Sequence, residues 1–441
     1  MDIFTTGLEA CFSPSSLLMN FLAMKYATFK VLLRYLQRYT IVSSSFLYLY
    51  LFVSTAIGQT PEYRLETMKV TLPVNRILPG ANQTAHYFPL LKGKKIAVVG
   101  NQTSIVFDEY GKIKSHLVDF LLENNFFVVK VFSPEHGFRG DGDAGEAIKS
   151  GFDTKTGLPV VSLYGDNKKP KPEQLLGVDI VLFDLQDVGV RFYTYISTLH
   201  YVMEACAEAK IPLVVLDRPN PNIDIIDGPV LDLANKSFIG MHPVPVLYGM
   251  TIGEYAKMIQ GENWIQKKVE LTVIPCKNYF RNKSYSLPVP PSPNLRTDNA
   301  IAWYASLCLF EGTVVSVGRG TDKPFEQVGH PDYPIKKHSF TPRPGFGSKD
   351  PVLNGQLCYG IDFSDSVAPR RLVLQPILDF YRKMPNNEQF FLKNNFFNLL
   401  AGNKILKDQI IAGMSEDAIR ATWQKDLDAF KKIRAKYLIY E

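Results

Sequence analysis

The chain has 441 residues, of which 46% are hydrophobic and 21% charged, with a net charge of +6. This is an ordinary globular composition with room for two domains, since single cores stop growing at roughly 250 to 300 residues. Part of the modest charge comes from Lys25, Lys30, Arg34 and Arg38 near the N-terminus, which argues against a nucleic-acid partner recognised through a basic surface.

The basic stretch through Arg38 is followed by the apolar run Ile41 to Ile57 and the small-residue ending Ala56-Ile57-Gly58. That is the pattern of a secretory signal. Residues 1–58 are therefore expected to be a signal-peptide region, with Met24 as an alternative start and an exported, periplasmic or secreted mature protein that keeps no membrane span. A retained anchor is the alternative, for which the run is short against the roughly 20 residues a span needs. Residues 59–79 are a lead-in. Cys11 falls in the part expected to be lost, leaving Cys206, Cys276, Cys308 and Cys358; export permits disulfides among them without requiring any. Without a Cys-x-x-Cys or His-x-x-x-His pair, a structural zinc site is not expected.

Lys95 to Gly100 reads as a buried strand, Ser115 to Glu123 as a helix, and Phe126 to Ser133 as a second strand. Val178 to Asp184 and Leu213 to Asp217 are two more strands, with a helix from Thr198 to Lys210 between them. Alternating strands and helices predict an α/β fold, a Rossmann-like, mostly parallel sheet domain over residues 80–300. Beyond it Pro288, Pro290, Pro291 and Pro293 mark extended or turn segments. Ser415 to Tyr440 has helical spacing with a helix start at Ser415-Glu416-Asp417-Ala418. Residues 301–441 are read as a smaller α+β domain that completes a cleft.

Pro134-Glu135-His136-Gly137-Phe138-Arg139-Gly140 leaves the second strand at its C-terminal end, where open α/β sheets carry their chemistry. Asp141, Asp143 and Glu146 add acids close by. A glutamate in apolar surroundings can hold a proton and hand it to a leaving oxygen, the general-acid role in glycoside cleavage; His136 could assist. Asp184 or Asp187 could be the second carboxylate, while Gln186, Arg191, Tyr193 and Tyr195 could hold sugar hydroxyls. Asn220 in Asp217-Arg218-Pro219-Asn220 is a further candidate ligand contact. In Glu311-Gly312 to Arg319-Gly320-Thr321, the planar fork of Arg319 suits a carboxylate, with Glu311 as either a ligand contact or the partner of Arg319. Gly100-Asn101-Gln102-Thr103-Ser104 stands where a dinucleotide fingerprint would begin and does not match it, so no cofactor is expected.

These motifs together resemble the exo-acting β-N-acetylmuramidases of bacterial cell-wall turnover, a glycoside hydrolase family once catalogued as a domain of unknown function. The resemblance rests on Pro134 to Gly137 with Arg139-Gly140, Thr156 to Pro159 with Ser162 to Gly165, Asp184 to Tyr195, Leu216 to Pro221, Pro245 to Thr251, Pro291 to Leu295, and Glu311 to Thr321 with Pro324-Phe325-Glu326. It runs from about residue 80 to the end. Leu295-Arg296 departs from the pattern, which has a proline after the leucine. The resemblance implies release of N-acetylmuramic acid from non-reducing ends of peptidoglycan fragments, whether muropeptides or disaccharides, with Glu135 leading the chemistry and Arg139 beside it. Two alternatives remain open: an exported muropeptide-binding protein, and a metal-dependent hydrolase built from Glu135, His136, Asp141 and Asp184.

Overall fold

Five apolar or small residues in succession leave no polar face for solvent, and Ile96-Ala97-Val98-Val99-Gly100 accordingly forms a strand, β1 (Ile96–Gly100), buried throughout. The computed structural model describes residues 76–140, 150–367 and 370–441. The expected signal peptide, nearly all of the lead-in, and Asp141, Asp143 and Glu146 lie outside the described residues. After β1 the central sheet takes β2 (Val128–Ser133), β3 (Gly151–Phe152), β4 (Pro159–Ser162), β5 (Ile180–Asp184), β6 (Leu213–Leu216) and β7 (Leu271–Ile274). Their spatial order is β7-β6-β5-β1-β2-β4-β3, parallel throughout except for β3 against β4. The strands at β4 and β7 carry weak sequence signals. One begins with Pro159 and the other is a four-residue edge strand.

Alternation along each strand divides the core. Ile96 and Val98, Ile180 and Leu182, and Val214 and Leu216 face one side. There they meet Tyr87 and Leu91 of helix α1 (Thr84–Leu91) and Leu117 and Leu121 of α2 (Leu117–Glu123). Ala97, Val99, Val181, Phe183, Leu213 and Val215 face the other side. That layer packs on α3 (Tyr195–Ala209) and α4 (Ile252–Gly261) and runs on without a break into Trp303, Phe310, Phe380 and Trp423. The C-terminal part therefore shares this core. It comprises α5 (Asp298–Leu307), a three-stranded antiparallel sheet of β8 (Gln327–His330), β9 (Ser339–Phe340) and β10 (Cys358–Asp362), then α6 (Gln375–Lys383), α7 (Phe396–Ala401), α8 (Ile405–Ile411) and α9 (Glu416–Arg434). Ser415 caps α9 through the Ala418 amide, as its sequence suggests. Among the described residues, no helix is long and apolar enough to cross a membrane, and Cys206, Cys276, Cys308 and Cys358 are free and buried.

Two charges are buried at the rim of the sheet. Asp184, at the end of β5, takes both prongs of Arg218 at 2.6 and 2.8 Å, and Arg218 also donates to the Ile105 carbonyl at 3.1 Å. Burial opposes charge on both partners, and the two-pronged contact holds Arg218 above its ordinary range. Asp217 next to it accepts from Thr251 Oγ1 at 2.7 Å and from the Gly253 amide at 2.8 Å, so it caps the N-terminus of α4. A Cβ on Gly253 would stand 2.7 Å from the Asp217 carboxyl carbon, which explains the glycine. Replacing Asp184 with Asn keeps the shape and strands the Arg218 charge. The expected loss is about 3–5 kcal/mol of stability, read as a lower urea midpoint at unchanged slope; a variant as stable as the parent would show that the pair does not hold the rim.

Candidate active site

Because the strands run parallel, Ser133, Ser162, Asp184 and Gly100 end at one edge, with Ser133 paired to Ser162 and Gly100 to Asp184. Ligands in such sheets ordinarily sit at the crevice where strand order reverses, here between β1 and β5. That crevice is filled. Ser104 Oγ donates to the Asp184 carbonyl at 2.5 Å, Thr103 Oγ1 to Asn101 Oδ1 at 2.6 Å, and Asn101 Nδ2 to the Tyr195 hydroxyl at 2.7 Å. The loop that departs from the dinucleotide fingerprint is a hydrogen-bonded plug. The open space lies one strand over, beyond β2 and β4.

The turn after β2 puts Glu135 there. His136 and Gly137 both take left-handed backbone, at φ 74° and 76°, free for glycine and costing the histidine about 1–2 kcal/mol. Two anchors hold this strained turn. Phe138 is buried edge-on against the His116 ring, 4.9 Å between centroids. Arg139 lies over Phe138, donates to Asp153 at 3.0 and 2.8 Å, and reaches Asp119 at 3.2 Å.

Glu135 is half-buried on the wall of a cleft of about 630 Å³. Thr194 Oγ1, just before α3, donates to its Oε2 at 3.3 Å, and the Tyr164 phenol in the loop after β4 lines the same wall close enough to feel its charge. Burial and the neighbouring Glu135 hold that phenol above its ordinary range, so Tyr164 is a neutral donor. The C-terminal part supplies the opposite wall with Tyr304, Cys308, Glu311, Ser316 and Arg319, and Lys349 and Asp350 reach it from a later loop. Arg319 donates to Glu311 at 2.7 Å and lies over the Phe325 ring at 4.8 Å. Burial works against its charge, but Glu311 keeps it above the ordinary guanidinium value. Its Nη1 is buried with no hydrogen-bond partner among the described residues. Glu311 is committed in turn, accepting from Arg319 on one oxygen and from the Cys308 thiol at 3.2 Å on the other.

Of the residues singled out in the sequence, the cleft gathers Glu135, Glu311 and Arg319. His136 is buried beneath the turn and does not line it. Arg139 serves as the anchor described above. Asp184 is sealed by Arg218. Asp187 is buried, accepting from the Gly189 amide at 2.7 Å and from the Tyr248 hydroxyl, and burial pushes it up to about 6. Arg191 is buried and donates to the carbonyls of Pro229, Val244 and Leu400 at 2.8, 2.9 and 2.8 Å, so it is spent on the interior. Gln186 donates to Pro219 O and Asp187 O, Asn220 to Met250 O, and Tyr193 to Pro291 O. Tyr195 opens α3 and is held by Asn101. None of these seven lines the cleft.

The sequence reading passed over Tyr164 as a site residue, although it follows β4 as Glu135 follows β2. Thr194 and Ser316 lie inside motifs that were read for other residues and Tyr304 lies in none, and the three meet only through tertiary packing. Among the described residues, no group of three or more His, Cys, Asp or Glu is placed to hold a metal ion.

Comparison with known proteins agrees with this geometry. Residues 96–299 match the N-terminal model of the exo-β-N-acetylmuramidase NamZ, and residues 302–440 match its C-terminal model. The peptidoglycan β-N-acetylmuramidase NamZ of Bacillus subtilis strain 168 is 39% identical over 419 residues, spanning 88% of this chain and 96% of that protein. Two solved DUF1343 family proteins of Bacteroides fragilis NCTC 9343 superpose on the chain. One is 43% identical with a TM-score of 0.75, covering 83% of this chain and 99% of its own. The other is 27% identical with a TM-score of 0.73, covering 84% and 100%.

The Glu135 turn depends on the Arg139 anchor, and that anchor titrates. Hydrogen bonding from Arg139 holds Asp153 down at about 2, below its ordinary 3.8. Its stabilisation is complete above about pH 4 and is lost as pH falls toward 2. Denaturation of the parent and of Asp153→Asn at pH 6 and pH 3 is expected to show the parent losing more stability over that interval; equal losses would remove Asp153 from the anchor.

Proposed function

The chain belongs to the NamZ family of exo-β-N-acetylmuramidases and is a glycoside hydrolase, and on that premise we propose that it releases N-acetylmuramic acid from non-reducing ends of peptidoglycan fragments with Glu135 as the general acid. The observation that carries this assignment is the position of Glu135, which presents a carboxyl group to the cleft from a strand end while the Thr194 hydroxyl holds it. In this reading Glu135 gives its proton to the glycosidic oxygen, the C1–O bond breaks with its electron pair passing to that oxygen, and positive charge develops at C1. Asp184 and Asp187 are held in the interior, so the oxygen that meets C1 is that of the sugar's own 2-acetamido group. Water then displaces that oxygen: its hydroxyl bonds to C1, the C1–O bond to the acetamido group breaks with its electron pair returning to the amide, and the water proton goes to Glu135. Export is part of the same proposal, because the substrate lies outside the cytoplasm and the segment before residue 59 reads as a signal.

The muramic sugar differs from N-acetylglucosamine by a lactyl carboxylate, and Arg319 is the group we assign to it. Arg191, a second guanidinium in the chain, points its two terminal nitrogens at three backbone carbonyls and does not line the cleft. The unpartnered Nη1 of Arg319 on a cleft wall is the kind of donor a carboxylate oxygen completes.

Glu135→Gln removes the proton and keeps the shape. Turnover on a chromogenic β-muramyl glycoside is expected to fall by about 10²- to 10⁴-fold, and near-normal turnover would sink the assignment. Arg319→Gln is expected to lower the preference for β-muramyl over β-N-acetylglucosaminyl glycosides, as a ratio of kcat/KM, by roughly 10- to 100-fold. A preference that survives places the lactyl group elsewhere.

A further inference from the structure

Ser237 and Gly240 exchange backbone hydrogen bonds at 2.9 and 3.1 Å, closing a two-residue turn whose tip is Phe238-Ile239. Such tips ordinarily carry Gly, Asn, Asp or Ser, which suit the bend and the solvent. Here two large apolar side chains, both half-buried, stand on the cleft wall. Ile239 leans partly onto the main core, while Phe238 does not join it. Phe238 belongs instead to an aromatic group at the cleft edge. Tyr201 of α3 lies parallel to it at 6.2 Å and 15°, Tyr164 meets it at 6.4 Å and 61°, and the Lys168 ammonium sits 5.0 Å from its ring centre. The turn has a fixed base, since a Cβ on Gly240 would lie 3.2 Å from Leu231 and 3.9 Å from the buried Arg191. Tyr164 links this group to the chemistry, because it lines the cleft together with Glu135 and stands between that acid and Phe238.

We propose that Phe238, with Tyr164, is the binding surface for the leaving sugar, the residue whose oxygen receives the Glu135 proton. The axial C–H groups of a β-linked pyranose form an apolar face that matches an aromatic side chain, and a wall beginning at the acid places that face one sugar beyond the bond being cut. The turn therefore sets the preference for a sugar over a small leaving group. This inference rests on the assignment of Glu135 as the acid.

The test compares a β-muramyl disaccharide with the 2,2,2-trifluoroethyl β-muramyl glycoside, whose leaving group is too small and too flat in polarity to stack. Phe238→Ala is expected to lower the ratio of the two kcat/KM values, disaccharide over trifluoroethyl, by about tenfold, mainly through KM. Phe238→Trp is expected to hold the ratio near that of the parent. An unchanged ratio in the alanine variant, or equal loss on both substrates, overturns the proposal. A parent protein that cleaves neither substrate overturns the reading of the acid beneath it, a result distinct from an unchanged ratio.

Discussion

A guanidinium with no acid beside it organises this molecule. Arg191 is buried and donates to carbonyls at Pro229, Val244 and Leu400, while its own amide donates to Val246 at 2.8 Å. An isolated buried charge is unfavourable by several kcal/mol unless its donors are satisfied, and these acceptors come from separate segments of the chain. Gly402 packs so closely on the guanidinium that a Cβ there would stand 2.6 Å from Nη2. The charge is tolerated only when the loop before α3, the segment from residue 229 to 246 and the end of α7 are all in place. The same segments carry Thr194, the Phe238 turn and the Leu400 side of the cleft, so satisfying Arg191 and forming the cleft are one event.

The sheet rim shows a division of labour between its two halves. At the strand reversal, polar side chains that would elsewhere hold a ligand bond to one another: Asn101 to Tyr195, Ser104 to Asp184 and Gln186 to Pro219. Arg218 and Asp184 seal the same region with charge. The neighbouring strand ends, β2 and β4, open on the cleft, and their loops carry Glu135 and Tyr164. The Pro-rich stretch bridges the halves. Pro291 accepts from Tyr193 at 2.7 Å, and Asn294 Nδ2 donates to the Gly347 carbonyl at 2.6 Å, close to Lys349 and Asp350 on the cleft wall.

Much of this architecture is legible in the sequence. Strands β1, β2, β5 and β6 are continuous apolar runs, and Glu135 follows one of them in a turn that needs glycine. What the sequence does not distinguish is a polar residue that faces a ligand from one that faces the interior. Asp184, Asp187, Arg191 and Asn220 all sit just past strand ends, as Glu135 does, and only the packing of distant segments decides that their partners are Arg218, Tyr248, backbone carbonyls and Met250 O. Arg319 was readable because glycines flank it. Tyr304 was not, since it lies in no local pattern, and Ser316 was overshadowed by Glu311 and Arg319 in its own motif; both reach the cleft through the shared core.

The contact between Arg191 and Leu400 spans 209 residues. A chain emerging from the ribosome carries Glu135 in its first third and the opposite wall of the cleft in its last. The cleft therefore has both its walls only once the two ends of the described chain have met.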